Sequence, residues 1–555
     1  MPLTTHAKDM QIPTALELFY KWEKETPTKP YLNQPVDGHI KTYTWSDFAD
    51  RVRRLAAALK SKGFPEGSRI GVLSKNCAEW FMTDIAIMLA GHVSVPIFAT
   101  AGKDTIRYVS EHADIQLMFV GKLDDTQTQV SAIPEHIPTV AYPYPDIPAS
   151  QSWDAFIDIE PYAESPVPDL NAVATIIYTS GSTGQPKGVV HTFSSICWAA
   201  KNAVHVLEAT PDDRVMSYLP LAHITERVLI ELCSFYAGFE LWFVESLDTF
   251  QRDVQTCRPT LFVSVPRLWT KFQMGILAKL PQKKLNLLLS IPIVKGLISK
   301  KIRTGLGLNE TRLFGSGSAP LPPALITWFH RLGISISEGW GMTENCAYGT
   351  TCVPFRIDKV GAIGKVHPGV DLRISDEGEI QVKGPCNMRE YYLEPEKTAE
   401  VFTDDGYLRT GDKGEIDADG YVRITGRLKD IFKTSKGKYV TPAPIESKFM
   451  ANPIVEQVCV TGSSLPQPVA LVVLSEEAAK QDRGQITAEL SELLGAINGT
   501  LESHQKLDRV IVCDEPWTPE NNMLTPTLKV RRHILEEKLK STIEARYTDK
   551  VIWKS

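Results

Sequence analysis

The densest chemical signal in this 555-residue chain is YTSGSTGQPKG at 178–188, where three glycines, four hydroxyls and one lysine follow a β-branched run. Thr179, Ser180, Gly181, Ser182, Thr183 and Gly184 can turn consecutive N–H groups and hydroxyls toward an anion, and Lys187 adds a positive charge. A Walker A loop needs four residues between its glycines and Ser or Thr after the lysine, whereas Gly188 follows Lys187 here. The pattern points to a phosphate cradle of another kind.

Further groups follow at intervals. His223 lies in LPLAHITERV at 219–228; taken alone, a His in such a segment is more often a satisfied core residue. GSGSAP at 315–320 carries Gly317 and Ser318, and EGWGMTE at 338–344 groups Trp340, Gly341, Thr343 and Glu344. YLRTGD at 407–412 ends on Asp412, GRLKD at 426–430 holds Arg427 and Lys429, and TPTLKVRR at 525–532 holds Lys529.

In this order, from roughly residue 15 to 545, these segments resemble the adenylate-forming superfamily of acyl-CoA synthetases, luciferases and peptide-synthetase adenylation domains. The resemblance implies ATP and coenzyme A as co-substrates and Mg2+ as cofactor. It places His223 beside the bound acyl group, and the Gly317–Ser318 turn along the adenine and the acyl entrance. An aromatic ring at 340 can stack on adenine, Thr343 can donate to the α-phosphate, and Glu344 is the magnesium ligand, one carboxylate sufficing where phosphate oxygens complete the shell. Trp340 stands where Tyr is usual; stacking survives that exchange, and the phenol hydroxyl's contact is left open. Asp412 accepts from both ribose hydroxyls, with Arg427 near the ribose and Lys429 as the interdomain pivot. The turn Ser435, Lys436, Gly437 would line the pantetheine tunnel, in a stretch one residue longer than the commonest form. Lys529 falls where the catalytic lysine belongs, although Leu528 replaces the usual glycine before it.

The chemistry implied is activation of a carboxylic acid. Its attack on ATP brings two anions together, and a flexible lysine can sit between the acyl oxygen and the α-phosphate. The adenylate then meets the coenzyme A thiol, after the C-terminal domain swings about its hinge and withdraws the lysine. Glu226–Arg227 resembles the long-chain branch, and the apolar run 228–243 could line a long acyl pocket. The segment 267–303 carries nine Lys and Arg among Leu, Ile and Val with no Asp or Glu. It suits either a surface that meets lipid or an ordinary basic helical hairpin. Two other readings stay open: delivery of the acyl group to a carrier protein, and a catalytically silent nucleotide or acyl sensor.

The elements that must position these groups read as α/β layers. Ser46 can cap a helix through Phe48, Val52, Leu55 and Leu59, with a strand at 69–73 and an apolar helix around 80–89 after it. The Pro- and Tyr-rich stretch 133–168 reads as a surface loop, and 171–178 as a strand. Short alternating runs over 361–420 suggest a small β-rich subdomain. The division expected is 1–425 for a large N-terminal domain binding AMP and acyl group, and 426–555 for a small mobile α+β domain with strands near 456–460, 469–474 and 509–513 and a helical period over 529–545.

Composition agrees with a folded, multidomain chain: 43% hydrophobic and 23% charged residues. A net charge of −6 gives no field for nucleic acid. Nine cysteines without a C-x-x-C pair suit a reducing compartment. The first ten residues lack the apolar core of a secretory signal, and the apolar run 80–99 contains Asp84 and His92, so it reads as helix plus strand rather than a membrane span. A cytoplasmic protein is expected, open to peripheral contact with the inner face of a membrane.

Overall fold

The structure is a computed structural model that describes residues 12–179, 185–463, 465–519, 521–525 and 528–554. Two large sheets dominate the first 400 residues. One runs, edge to edge, through Glu390–Tyr391, Lys187–Thr192, Val173–Thr179, Val93–Ile97, Arg69–Leu73, Ile115–Val120, Thr139–Ala141 and Gln151–Ser152. Its centre is parallel, and Lys187–Thr192 returns antiparallel to Val173–Thr179. The other has nine strands, with Leu261–Ser264, Leu313–Ser316 and Ile336–Trp340 parallel neighbours at one side.

Between the sheets lies the helix Ala78–Leu89, all twelve residues of which are buried. A helix that is apolar nearly all round can be satisfied only by protein on every side, and its Trp80, Phe81 and Ile85 join a core that includes Leu32 and Leu241 of one sheet and Ile70 and Val72 of the other. The preceding helix is Trp45–Ser61, and its cap is Thr44 rather than Ser46. Thr44 has an acidic partner three residues on: its hydroxyl oxygen accepts from the Asp47 N–H, and the Asp47 carboxylate accepts from the Thr44 N–H. The stretch 133–168 is not a simple loop. It contributes the buried strand Thr139–Ala141, the edge strand Gln151–Ser152 beyond it, and the short helix Trp153–Ile157, whose Trp153 and Phe156 are buried.

A four-stranded antiparallel sheet, Asp371–Ile374, Glu379–Lys383, Leu408–Ile416 and Val422–Arg427, forms the β-rich part. From Phe432 onward the chain builds separate cores on both faces of the sheet Val455–Thr461, Val469–Leu474, Val510–Cys513 and Val551–Trp553. The helical period seen over 529–545 begins late: Lys529 precedes two short helices, Arg532–Lys538 and Lys540–Glu544. All nine cysteines are buried and free. Among the described residues, no helix is long and apolar enough to cross a membrane.

The interior also holds charge. The Arg227 guanidinium donates to Asp84 at 2.7 Å and to Thr175 Oγ1 at 3.2 Å, and lies 3.1 Å from Glu231, all fully buried. Burial pushes the Glu231 carboxyl up, the nearby Asp84 adding to it and Arg227 opposing it. Removing the one cation would strand a buried carboxylate, so Arg227→Met should lower the stability of the N-terminal body by about 3–5 kcal/mol, read from urea unfolding followed by tryptophan fluorescence.

Candidate active site

The strand Ile336–Trp340 delivers its last residue to a tight turn. A Cβ on Gly341 would stand 2.4 Å from the Ala347 carbonyl carbon, so only glycine permits this approach. The turn continues as the single 3-10 turn Thr343–Asn345, fixed from two sides. The His191 Nε2–H donates to the Thr343 carbonyl at 2.7 Å, and the Met388 N–H donates to that of Glu344 at 2.7 Å. Complete burial holds the imidazole pKa down to about 4, so His191 is neutral. Its Nδ1 lies 3.2 Å from Ser195 Oγ and 3.4 Å from Cys346 Sγ, both able to donate.

The Glu344 side chain is oriented by Tyr391, whose hydroxyl donates to Oε1 at 2.7 Å. The Lys187 ammonium sits 3.9 Å from the centre of the same ring, a cation–π contact. Burial presses the Lys187 pKa down, Glu344 raises it, and Lys429 lowers it again. Thr179 and Lys187 face each other across paired strands, while Ser180, Gly181, Ser182, Thr183 and Gly184 lie outside the described residues.

Asp412 lies 4% exposed in Leu408–Ile416, directly across from Arg427 in Val422–Arg427. The Arg427 Nε–H donates to Oδ1 at 2.7 Å, and the Trp340 Nε1–H donates to Oδ2 at 2.9 Å. The indole thus has a polar partner of its own where a phenol is the usual ring. Gly349 makes room for it, since a Cβ there would fall 2.6 Å from the Trp340 ring. Gly317 follows Leu313–Ser316, and Ser318 adopts φ 65°, with Glu338 accepting from the Leu321 N–H at 3.1 Å to tie this turn to the neighbouring strand.

His223 caps a short helix, Ile224–Glu226, its Nδ1 accepting from the Thr225 N–H at 3.2 Å. Burial first, then Lys529, lowers its pKa to about 4. The two residues read from sequence as a long-chain signature turn inward. Glu226 accepts from Ser217 at 2.8 Å and Asn76 at 3.2 Å, and Asn76 Oδ1 accepts from the Leu221 N–H, so the pair braces the His223 loop from behind. The apolar run 228–243 is also mainly core: Val228, Leu232, Phe235 and Phe243 are all buried.

Lys529 arrives from the C-terminal body. Although the residue is exposed at the surface, surrounding protein lowers its pKa, Arg427 adds to this, and Asp412 and Glu344 oppose it, so all three charges lie within electrostatic reach of the ammonium. Its backbone is pinned by Thr525: the Thr525 N–H donates to the Lys529 carbonyl at 2.8 Å, and Thr525 Oγ1 accepts from the Lys529 N–H at 3.1 Å. Leu528 pays for that geometry with φ 60°, the left-handed region that glycine enters freely. Lys429 lies exposed in the 3-10 turn Leu428–Asp430. Ser435, Lys436 and Gly437 form an exposed turn between Phe432–Lys433 and Tyr439–Val440, remote in sequence but anchored by the Ser435 N–H donating to Leu465.

Sequence reasoning missed His191 and Tyr391. The first had a signal: a histidine inside the buried strand KGVVHT must find partners. The second had none, because the Tyr391–Glu344 contact spans 47 residues.

The two large sheets, the antiparallel subdomain and the C-terminal body thus bring carboxylates, lysines and a flat ring into one neighbourhood. Residues 19–392 match the AMP-binding enzyme family and residues 429–551 the AMP-binding enzyme C-terminal domain. The chain belongs to this family. It is 30% identical over 583 residues to the long-chain-fatty-acid–CoA ligase FadD15 of Mycobacterium bovis, covering 96% of each chain. It is 28% identical to long chain acyl-CoA synthetase 3 of Arabidopsis thaliana, covering 96% of this chain and 92% of that one. Among solved structures, ATP-bound MatB from Rhodopseudomonas palustris superposes with a TM-score of 0.75 at 25% identity, over 96% of this chain and all of that one. The anthranilate CoA ligase AuaEII with anthranoyl-AMP shares the fold, with a TM-score of 0.80 at 21% identity, over 97% of this chain and 99% of that one.

Strain at position 528 is open to direct test. Leu528→Gly should leave the C-terminal body as stable or more so, whereas the β-branched Leu528→Val should cost about 1 kcal/mol or more, both read from its unfolding midpoint.

Proposed function

We propose that the chain is an AMP-forming acid–thiol ligase that activates a long-chain fatty acid with ATP and passes the acyl group to coenzyme A. What supports this reading most is that Lys529, from one body, lies within electrostatic reach of Asp412 and Glu344 of the other. The fatty acid carboxylate attacks the α-phosphorus of ATP, the α–β P–O bond breaks, and pyrophosphate leaves. Lys529 offsets the negative charge that accumulates between the acyl oxygen and the α-phosphate, with Thr343 donating to the same phosphate. The loop at 179–184 and Lys187 hold the departing phosphates. Trp340 stacks on adenine beside Gly341, Gly317 and Ser318. Asp412, kept in place by the Trp340 and Arg427 donors, accepts from the ribose hydroxyls. Neutral His223 borders the acyl group without adding charge.

Magnesium suits this site: among the described residues no cluster of three or more His, Cys, Asp or Glu builds a protein cage, whereas one carboxylate, Glu344, with phosphate oxygens meets its octahedral preference. When bound, it neutralises charge on the leaving pyrophosphate. In the second half-reaction the coenzyme A thiol sulfur attacks the acyl carbon, loses its proton and expels AMP. That step needs Lys529 out of the way, so residues 426–555 act as a mobile domain on the larger 1–425, pivoting at Lys429 and bringing Ser435, Lys436 and Gly437 to the pantetheine path. The substrate itself is poorly soluble, and the basic segment 267–303 gives the protein a peripheral contact with a membrane.

The substrate reading is tested by acyl-CoA formation across acids of increasing length. Each buried methylene contributes roughly 0.8 kcal/mol, so kcat/KM should rise steeply to about twelve carbons and beyond. Equal values for butyrate and palmitate would refute a long-chain pocket. Replacing coenzyme A by a carrier protein should give no thioester.

The two half-reactions should separate in variants. Lys529→Ala removes an electrostatic contribution of roughly 3–4 kcal/mol, so single-turnover pyrophosphate release should fall by at least about a hundredfold. Thioester formation from synthetic acyl-adenylate should change far less. Lys429→Pro fixes φ at the pivot and should do the reverse. Equal damage to both steps in both variants would remove the support for an alternating domain.

A further inference from the structure

The basic segment does not act as one surface. Its first part, the helix Pro266–Lys279, faces the C-terminal body: Arg267 pairs with Glu456, and the Glu476 carboxyl pKa is lowered chiefly by its partner Lys480, with a smaller contribution from Lys271. What remains is a hairpin of the helices Gln282–Leu289 and Pro292–Leu306. Its base is secured, because Leu285, Ser299 and Leu306 are buried, the Trp328 Nε1–H donates to Gln282 at 2.9 Å and the Arg331 guanidinium donates to Asn286 at 3.0 Å.

Its outer end is not covered by any described part of the chain. Ile293 is 81% exposed, Leu287 and Leu297 65% each, and Ile291 46%. These are four of the most apolar side chains available, gathered within eleven residues of sequence, where single exposed aliphatics elsewhere are scattered. Lys283, Lys284, Lys295, Lys300 and Lys301 are exposed around them, and the hairpin has no acidic residue. The rest of the chain is acidic enough to bring the total to −6, so the positive charge is local.

We infer that this hairpin is the membrane-docking element of the protein, its tip of Leu287, Ile291, Ile293 and Leu297 inserted among the acyl chains of an anionic bilayer while the lysines meet the lipid phosphates. Apolar side chains ringed by lysines match the boundary between hydrocarbon and anionic headgroups, with ammonium groups on flexible stems reaching outward. A protein partner would need acidic groups to answer the lysines, and the hairpin supplies none for a second copy of itself. The inference deepens the peripheral contact proposed above: it assigns that contact to the hairpin, releases Arg267 and Lys271 from it, and adds insertion to charge attraction. A dissolved fatty acid would then be captured where it partitions, in the bilayer next to the enzyme.

The test uses the full chain with vesicles of phosphatidylcholine, with or without phosphatidylglycerol, in co-sedimentation at low and physiological salt. The parent should bind the anionic vesicles. Leu287→Ser, Ile293→Ser and Leu297→Ser combined should weaken partitioning by at least about tenfold at physiological salt, where charge attraction is screened within about 8 Å. Lys283→Gln, Lys284→Gln, Lys300→Gln and Lys301→Gln combined should abolish the difference between the two vesicle types. Both variants should convert dissolved dodecanoate as the parent does, which establishes that they are folded, and should lose kcat/KM for vesicle-borne palmitate. A serine variant that binds as the parent would overturn insertion and leave only charge attraction. A parent that ignores vesicles at low salt, or forms a dimer that the serine variant dissociates, would overturn docking altogether. Vesicle binding without palmitoyl-CoA synthesis would instead sink the substrate reading and leave the docking element standing.

Discussion

Charge balance among one group of side chains is the constraint on which the rest of this structure depends. Three cations, Lys187, Arg427 and Lys529, stand against two carboxylates, Glu344 and Asp412, at the junction of two bodies. Before substrate arrives that set is close to neutral, which lets the groups be crowded together without a large desolvation penalty. A nucleotide triphosphate and a carboxylic acid bring several negative charges, and the set has a surplus cation to offset part of them. Because Lys529 comes from the C-terminal body, the balance also ties that body electrostatically to the larger one.

The architecture answers this by holding each charged group through a partner of its own. Asp412 is gripped by a guanidinium across the strand pair and by an indole from a neighbouring sheet. Glu344 is oriented by Tyr391, and the turn that carries it is clamped by the neutral His191. Such supports matter because hydrogen bonds and charges are strong only where their geometry is set beforehand. Close glycine approaches at Gly341 and Gly349 permit the turn and the ring to occupy the same corner.

Buried charge has a second, structural use. Glu226 and Arg227 are next to His223 in sequence, yet both point into the protein, one bracing the loop through Asn76 and Ser217, the other neutralising Asp84. Glu226 is pushed up to about 8 by burial, so it serves at neutral pH largely as a hydrogen-bonding carboxyl rather than a free charge. The resemblance of this dipeptide to long-chain enzymes therefore reports the packing behind the His223 loop.

Much was legible in the order of residues because local chemistry constrained it. The strand 69–73, the buried helix after it and the strand 469–474 follow from apolar periodicity, which depends only on near neighbours. Trp340, Glu344, Asp412 and Arg427 were likewise readable as types, because each stands in a short motif of its own. Tertiary structure alone decided the rest. It chose Thr44 over Ser46 as a cap through Asp47, folded 133–168 into a sheet edge, and turned the continuous basic stretch 267–303 into an interdomain face and a free hairpin. It explained why glycine suits position 528, a backbone angle invisible in composition. It also joined His191 to Thr343 and Tyr391 to Glu344, across 152 and 47 residues. Contacts at that separation are set by how whole sheets pack, and no local pattern encodes them.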